Sequence, residues 1–487
     1  MIEALDVELV RTNQGIIDGL ASFDPVHTPA SWHRILQGVE ELFNFATEPL
    51  DDEAAHDRFV RMPLATAVTS GRNWIVETIR DLYDGGVEDR VMEALELAFR
   101  LSTGCRMSGY PLALATVGDA AGYFQTRRRR IVAFLYVMPR LCQGTVVART
   151  AAEIMPILAL VEIAAGPMTD LAQMRMMARV FEDYSVKSDG VAVLASRDAR
   201  LLDTGAMDPE RVSLLDMIEH GVTRVSSEDG PAERRLLSKA EVRMQIDYLQ
   251  SGFAEFDLAG SSFGEIRDLV SPLLAGPESY VITIPVDALA PALDAPGGLG
   301  PQRRRALLIH EGDDYATAVD SYQPFVRIDD AFVSNVNLLT RFLNDYKNVA
   351  LARQKRFQIR SGFLFEKKVR AVLEAAGFTL ASFKRIDRRE FDLVATRQGE
   401  IHNFQCKNTF IDARLIEKKP ERYARLNRTM VGAYRRAITK EMGREHLLKA
   451  ALGLNVAHHY VVSRFPVLTD DPAIIPFLAL EEAVARL

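Results

Sequence analysis

Apolar residues recur at helical spacing through the first half of the chain. Val91, Leu95, Ala98 and Phe99 fall at i, i+4, i+7 and i+8, and Ile35, Val39, Leu42 and Phe43 repeat that interval. Such spacing gathers the side chains on one helix face. Comparable stretches run over Ile131–Val137 and Met155–Ala165. Joints are expected at Asp84-Gly85-Gly86, Ser108-Gly109-Tyr110-Pro111 and Gly166-Pro167, where glycine and proline interrupt the pattern. No fixed-period repeat marks a solenoid. Residues 1–270 therefore read as a helical region.

The texture changes after residue 270. Tyr280–Ile284 is a short β-rich run closed by Pro285, and Ala306–Ile309 is another apolar run, so 271–330 reads as a small mixed α/β joining segment. A long helix is expected over Val333–Ile359, breaking at Arg360-Ser361-Gly362. A second helix follows over Phe363–Ala376, with Ser361 as N-cap and Gly377 at the C-cap position. Strands are expected at Thr379–Ile386, Phe391–Thr396 and Ile401–Lys407, then a helix over Glu421–Lys440 and a strand over Val456–Ser463. The fold class is thus multidomain: a mostly α N-terminal region, the joining segment, and an α/β part over 331–487.

A length of 487 residues fits two or three domains, since single cores rarely exceed roughly 250–300 residues. Hydrophobic residues at 48% and charged residues at 26% exclude disorder as a global description. Cys105, Cys142 and Cys406 are too few and too far apart for a disulfide scaffold or a cysteine zinc site, and they fit a reducing, cytoplasmic setting. The first residues lack a basic segment followed by an apolar core, so no signal peptide is expected. The most apolar stretch, Ala151 to Met168, carries Glu153, Pro156 and Glu162 and reads as a buried helix; no membrane partner is expected.

Net charge is −7, which taken whole argues against nucleic acid. Residues 351–450 hold 24 Lys and Arg against 11 Asp and Glu, a balance of +13, leaving −20 for the remainder. Phosphate binding answers to the local field of one surface, so the split reopens that partner.

A turn centred on Gln398-Gly399 would pair positions that sum to 797: Thr396 with Ile401, Val394 with Asn403, Asp392 with Gln405. Opposed residues share a face, and Lys407 shares the face of Gln405. His402, Phe404 and Cys406 would point the other way, into the core. A carboxylate, an amide oxygen and an ammonium converge, a trio suited to phosphodiester hydrolysis. Asp392 and Gln405 offer hard oxygen ligands for Mg²⁺ (or Mn²⁺), and Lys407 can orient or deprotonate a water or meet charge on the phosphate. Glu366 would add a carboxylate if its helix packs beside the strands.

The run from Glu366 through Glu390-Phe391-Asp392 to Gln405-Cys406-Lys407 resembles the active-site signature of the PD-(D/E)XK nuclease superfamily. The variant most similar is that of Mrr-type restriction endonucleases, and the element order resembles the αβββαβ core of the restriction-endonuclease-like fold. The resemblance covers roughly 350–465. It implies a Mg²⁺-dependent nuclease, with Asp392, Gln405 and Glu366 at the metal and Lys407 as catalytic lysine, acting on DNA in restriction, antiphage defence or repair. Phe391 stands where that signature has proline, and Gln405 replaces an acid, which removes a negative charge from the metal site.

Lys418, Lys419, Arg422, Arg425, Arg428, Arg435 and Arg436 lie in or just before the following helix and are expected to contact phosphates of double-stranded DNA. Tyr423 and Tyr434 either stack on bases or pack at the helix edge. Arg127–Arg130 and Arg303–Arg305 read as solvated basic faces, His310–Asp314 as a surface turn, and His458-His459 as packing residues. Gly297-Gly298-Leu299-Gly300 lacks the Lys-Ser/Thr of a phosphate loop. The helical half is expected to sense or assemble, through a second copy or a partner protein. The alternatives are a nucleic-acid-binding module with a degraded metal site, or a helical oligomeric scaffold.

Overall fold

A computed structural model describes residues 2–47, 52–188, 193–197, 236–352, 354–408, 419–464 and 467–487. The chain divides into two compact units. One comprises Val7–Asp170 and Val222–Ala350; the other comprises Met1–Asp6, Leu171–Gly221 and Leu351–Leu487.

The unit containing Val7–Asp170 is built on helices His27–Thr47, Val87–Ser108, Val117–Leu141 and Ala151–Leu160. Their shared core contains Ile35, Val39, Leu42, Val91, Leu95 and Ala98, the residues that the helical spacing marks. Gly85, Gly86 and Gly109 all take positive φ, the last as the C-cap of Val87–Ser108, so two of the expected joints are real. The third is not. Helix Ala151–Leu160 passes through a π-helical turn, Val161–Ala165, into helix Gly166–Val180. Gly166 donates to Val161 O across the π turn, and Pro167 stands at the start of the next segment, where a missing N–H costs little. Ala151–Val180 is long and apolar enough to cross a membrane by length and composition, with 56% of the window buried within the protein.

Residues 271–330 do not stand apart as a joint. They contribute three strands to a four-stranded sheet, in the order Val281–Pro285, Ala331–Asn335, Phe325–Ile328, Ile309–His310. Tyr315, Val319, Val326 and Val333 join the helical core. Ala331–Asn335 is extended, so the helix expected from Val333 begins at Val336 and ends at Leu351.

Arg127–Arg129 and Arg304 are engaged internally rather than solvated, while Arg303 and Arg305 are exposed as expected. Arg127 pairs with Glu162 at 3.0 Å, Arg128 with Glu40 at 2.5 Å, and Arg129 with Asp320 at 2.8 Å. Arg304 is buried and donates to Ala295 O, and Arg305 pairs with Asp294. His310 is buried as well, its ring 4.6 Å from that of Tyr136, while Asp314 caps a short helix from Tyr315 to Val319.

In the other unit, helix α1 spans Lys355–Ala375, strand β1 Thr379–Leu380, β2 Leu393–Arg397 and β3 Glu400–Lys407. Helix α2 spans Pro420–Met442, α3 Glu445–Leu452, strand β4 Ala457–Ser463, β5 Ile474–Pro476 and helix α4 Leu480–Ala485. The sheet order is β5-β4-β3-β2-β1, with β1, β2 and β3 antiparallel and β3, β4 and β5 parallel. Phe365, Val369 and Leu373 of α1 pack on the face of Phe404 and Tyr460. Tyr423, Val431 and Tyr434 of α2 pack on the opposite face with Val461, and Leu448 of α3 packs with Val394 and Ile401.

Two local expectations are corrected and one holds. Ser361 lies inside α1 and does not cap it, because the helix begins six residues earlier, after Gln354. Gly377 does close it, with φ +83° and its N–H donated to Glu374 O. The strand expected over Thr379–Ile386 is only Thr379–Leu380; Arg385–Ile386 turns back on Arg389–Glu390 through Asp387 and Arg388, both at positive φ.

Candidate active site at the end of the strand hairpin

The β2–β3 connection is the two-residue turn Gln398-Gly399, with φ +53° and +82°. Two consecutive positive φ values match the right-handed twist of paired strands. The observed pairs Thr396–Ile401 and Val394–Asn403 are those that sum to 797. Asp392 lies one residue before β2, in line with Gln405. Its Oδ2 accepts the Cys406 N–H at 2.9 Å, which ties the carboxylate to the end of β3.

Gln405 and Asn403 point toward α2. Gln405 Nε2 donates to Glu441 Oε1 at 3.0 Å and Asn403 Nδ2 donates to Glu441 Oε2 at 3.0 Å. Arg444 donates to both carboxylate oxygens, Nε at 2.9 Å. Asn403 Nδ2 also donates to His459 Nδ1 at 3.2 Å, which leaves His459 Nε2 to donate to Glu445 at 3.3 Å. Burial lowers the His459 pKa, partly offset by Glu445. Gln405 Oε1 is buried and has no hydrogen-bond partner among the described residues.

Burial also raises the Asp392 carboxyl above its ordinary value; the Cys406 N–H and the Lys407 charge oppose that rise, while Glu441 and Glu390 add to it. Asp392 and Lys407 are therefore within each other's field. Glu366 stands on α1, the helix that packs on the other face of the sheet, and its Oε2 is held by Lys384 Nζ at 3.0 Å. Its carboxyl is raised by burial first, against the pull of Lys384 and with the help of Asp392 and Glu390. Cys406, on the α1 side, is pushed well up by burial and by Asp392. Among the described residues no three His, Cys, Asp or Glu side chains group as a metal site. Glu366 is thus near Asp392 electrostatically without joining it in a three-carboxylate set.

The donors present still suit a small hard cation. Mg²⁺ commonly takes one or two carboxylates and completes its shell with water and phosphate. Asp392 provides the carboxylate, and the unpaired Gln405 oxygen is a neutral donor in want of a partner.

Helix α2 extends past the Lys407 end of the sheet. Glu441 lies over Gln405, the Tyr434 hydroxyl is 3.3 Å from Ser463, which pairs with Lys407, and Asn427 donates to Leu468 O beyond the strand. Arg422, Arg425 and Arg428 are carried on that projecting part, exposed, with Lys419 before them. Arg435 and Arg436 are exposed too, Arg435 paired with Asp471 at 2.9 Å. Lys418 lies outside the described residues. Tyr423 and Tyr434 are buried, 1% and 3% exposed, so neither presents a face to a base.

Glu441, Arg444, Asn403 and Lys384 complete the site without having been marked by the motif. One signal was available. Glu441 falls seven residues after Tyr434 on the buried face of α2, a carboxylate at a core position, and Arg444 follows at i+3.

No family model, curated protein or solved structure matches this chain.

Proposed function

We propose that the unit holding Leu351–Leu487 is a metal-dependent nuclease domain of the restriction-endonuclease-like kind, hydrolysing phosphodiester bonds in double-stranded DNA. The observation that carries this reading is the strand register that sets Asp392, Gln405 and Lys407 at one end of the β2–β3 pair, with Asp392 bonded to the Cys406 N–H and the Gln405 oxygen buried and unpartnered among the described residues. The succession of α1, β1, β2, β3, α2 and β4, with α1 on one face and α2 on the other, supports it.

Asp392 and Gln405 would hold Mg²⁺ or Mn²⁺, which when bound polarises a phosphoryl oxygen and lowers the pKa of a bound water. Lys407 would orient that water, take part in its deprotonation, or stabilise charge on the phosphate. Glu366 would act through its field on Asp392 more than as a ligand, since Lys384 already claims one oxygen. The arginines of α2, projecting past Lys407, would hold the backbone of a duplex. The helical unit would sense or assemble.

The test is incubation of the full chain with plasmid and linear DNA and Mg²⁺ or Mn²⁺, beside Asp392→Ala and Lys407→Ala. Metal-dependent cleavage lost in both variants is the expected result. Cleavage surviving both substitutions would sink the assignment. A second reading, nucleic-acid binding without hydrolysis, is favoured by the absence of a three-residue His, Cys, Asp or Glu group among the described residues. DNA binding with no cleavage under either metal would select it.

A further inference from the structure

We infer that Glu441 is a positioning residue: it fixes the Gln405 amide so that the oxygen, not the nitrogen, is left free as the second protein ligand of a divalent cation. This inference rests on the metal site proposed above.

A carboxylate only accepts hydrogen bonds. Whatever amide group faces Glu441 must therefore be the NH₂, and the oxygen must face away. Glu441 cannot swing to relax this demand. It is 2% exposed, gripped by the Arg444 guanidinium on both oxygens, and also bonded by Asn403. Arg444 in turn lies over the Phe391 ring, 4.5 Å from its centroid, beside Asp392. One buried network thus ties the strand end bearing Asp392 to the amide of Gln405.

A purely structural role would leave a different trace. A buried amide that serves packing alone usually has both its ends satisfied, because an orphaned acceptor is costly. Here the nitrogen end is satisfied and, among the described residues, the oxygen end is not. The same geometry explains how a glutamine can serve at this position. A glutamate at 405 would place its carboxylate against that of Glu441.

The experiment measures Mn²⁺ binding to the full chain without DNA, by electron paramagnetic resonance, for wild type, D392A, E441Q, Q405E and Q405E/E441Q. Folding is followed by circular dichroism. E441Q is expected to weaken Mn²⁺ binding by about tenfold or more, the usual effect of losing a group that orients a ligand. Q405E is expected to bind poorly. The double variant, which restores a carboxylate facing an amide, should bind more tightly than either single change, a reversal that lost packing does not produce. Wild-type affinity in E441Q, or a folded double variant weaker than both singles, would overturn the inference while leaving the metal site standing. If E441Q does not fold, the comparison of Q405E with the double variant decides. No Mn²⁺ binding by wild type, or equal binding by D392A, would instead overturn the metal site and the inference with it.

Discussion

Glu441 accepts the amide hydrogen of Gln405 at 3.0 Å and leaves that amide's oxygen without a donor among the described residues. The relationship joins a helix to a strand 36 residues apart in the chain, and it makes the candidate site part of the packing between α2 and the sheet.

Asp392 carries a cost that its function would repay. Its folded-state pKa is raised, chiefly by burial, so the native protein binds the proton more tightly than the unfolded chain does. Stability therefore falls as pH rises through the window between the unfolded and folded values. Asp392→Asn should raise Tm at pH 7, with a gain that shrinks as pH falls through that window and is lost below it. Asp392→Ala should lower cleavage by at least about a hundredfold. Calorimetry across pH and a plasmid assay check the two halves.

Glu366 should matter less than Asp392. Its carboxylate is engaged by Lys384 and stands on the helix of the opposite face. Glu366→Gln is expected to reduce cleavage by less than about tenfold, a modest electrostatic effect. A loss as deep as that of Asp392→Ala would make Glu366 a direct ligand.

The exposed arginines should govern affinity without governing sequence preference. Each phosphate contact contributes about 0.9 to the slope of log K against log salt. Replacing Arg422, Arg425 and Arg428 together by glutamine should reduce that slope by about 2–3, equally for different duplexes. Fluorescence anisotropy over a salt series reads it; an unchanged slope would move the DNA to another surface.

Acid should destabilise the protein through its buried histidines. Burial holds His33 and His402 at about 4, against 6.5 in an unfolded chain. The unfolded state then binds more protons between those values, so stability is lost as pH falls from 6.5 toward 4. For the fully buried His33 the loss is roughly 3 kcal/mol. Urea titrations at pH 7 and pH 5 should differ by about 2 kcal/mol on account of His33, the full loss being reached only near pH 4, and His33→Gln should narrow the difference.

What could be read from the chain followed from local rules. The period of Ile35, Val39 and Leu42 and the turn chemistry of Gln398-Gly399 are short-range signals, and both the helix core and the strand register obey them. What could not be read depended on distant partners. Arg127–Arg129 look solvated until Glu162, Glu40 and Asp320 are brought to them by folding. Gly166-Pro167 looks like a stop until a π turn absorbs it. Glu441 and Lys384 escape any linear motif because their roles arise from packing across the sheet.

The turn at Gln398-Gly399 has a reach beyond its own exposed surface. A Cβ at Gly399 would touch nothing, yet φ +82° is a conformation that side-chain-bearing residues rarely adopt. A β-branched residue there would favour a slipped pairing, and a slip of one residue would bring Cys406 to the place of Gln405. The geometry of the candidate site at one end of the hairpin thus depends on the handedness of two solvent-facing residues at the other, so a substitution that looks tolerable by exposure would disturb that site from a distance.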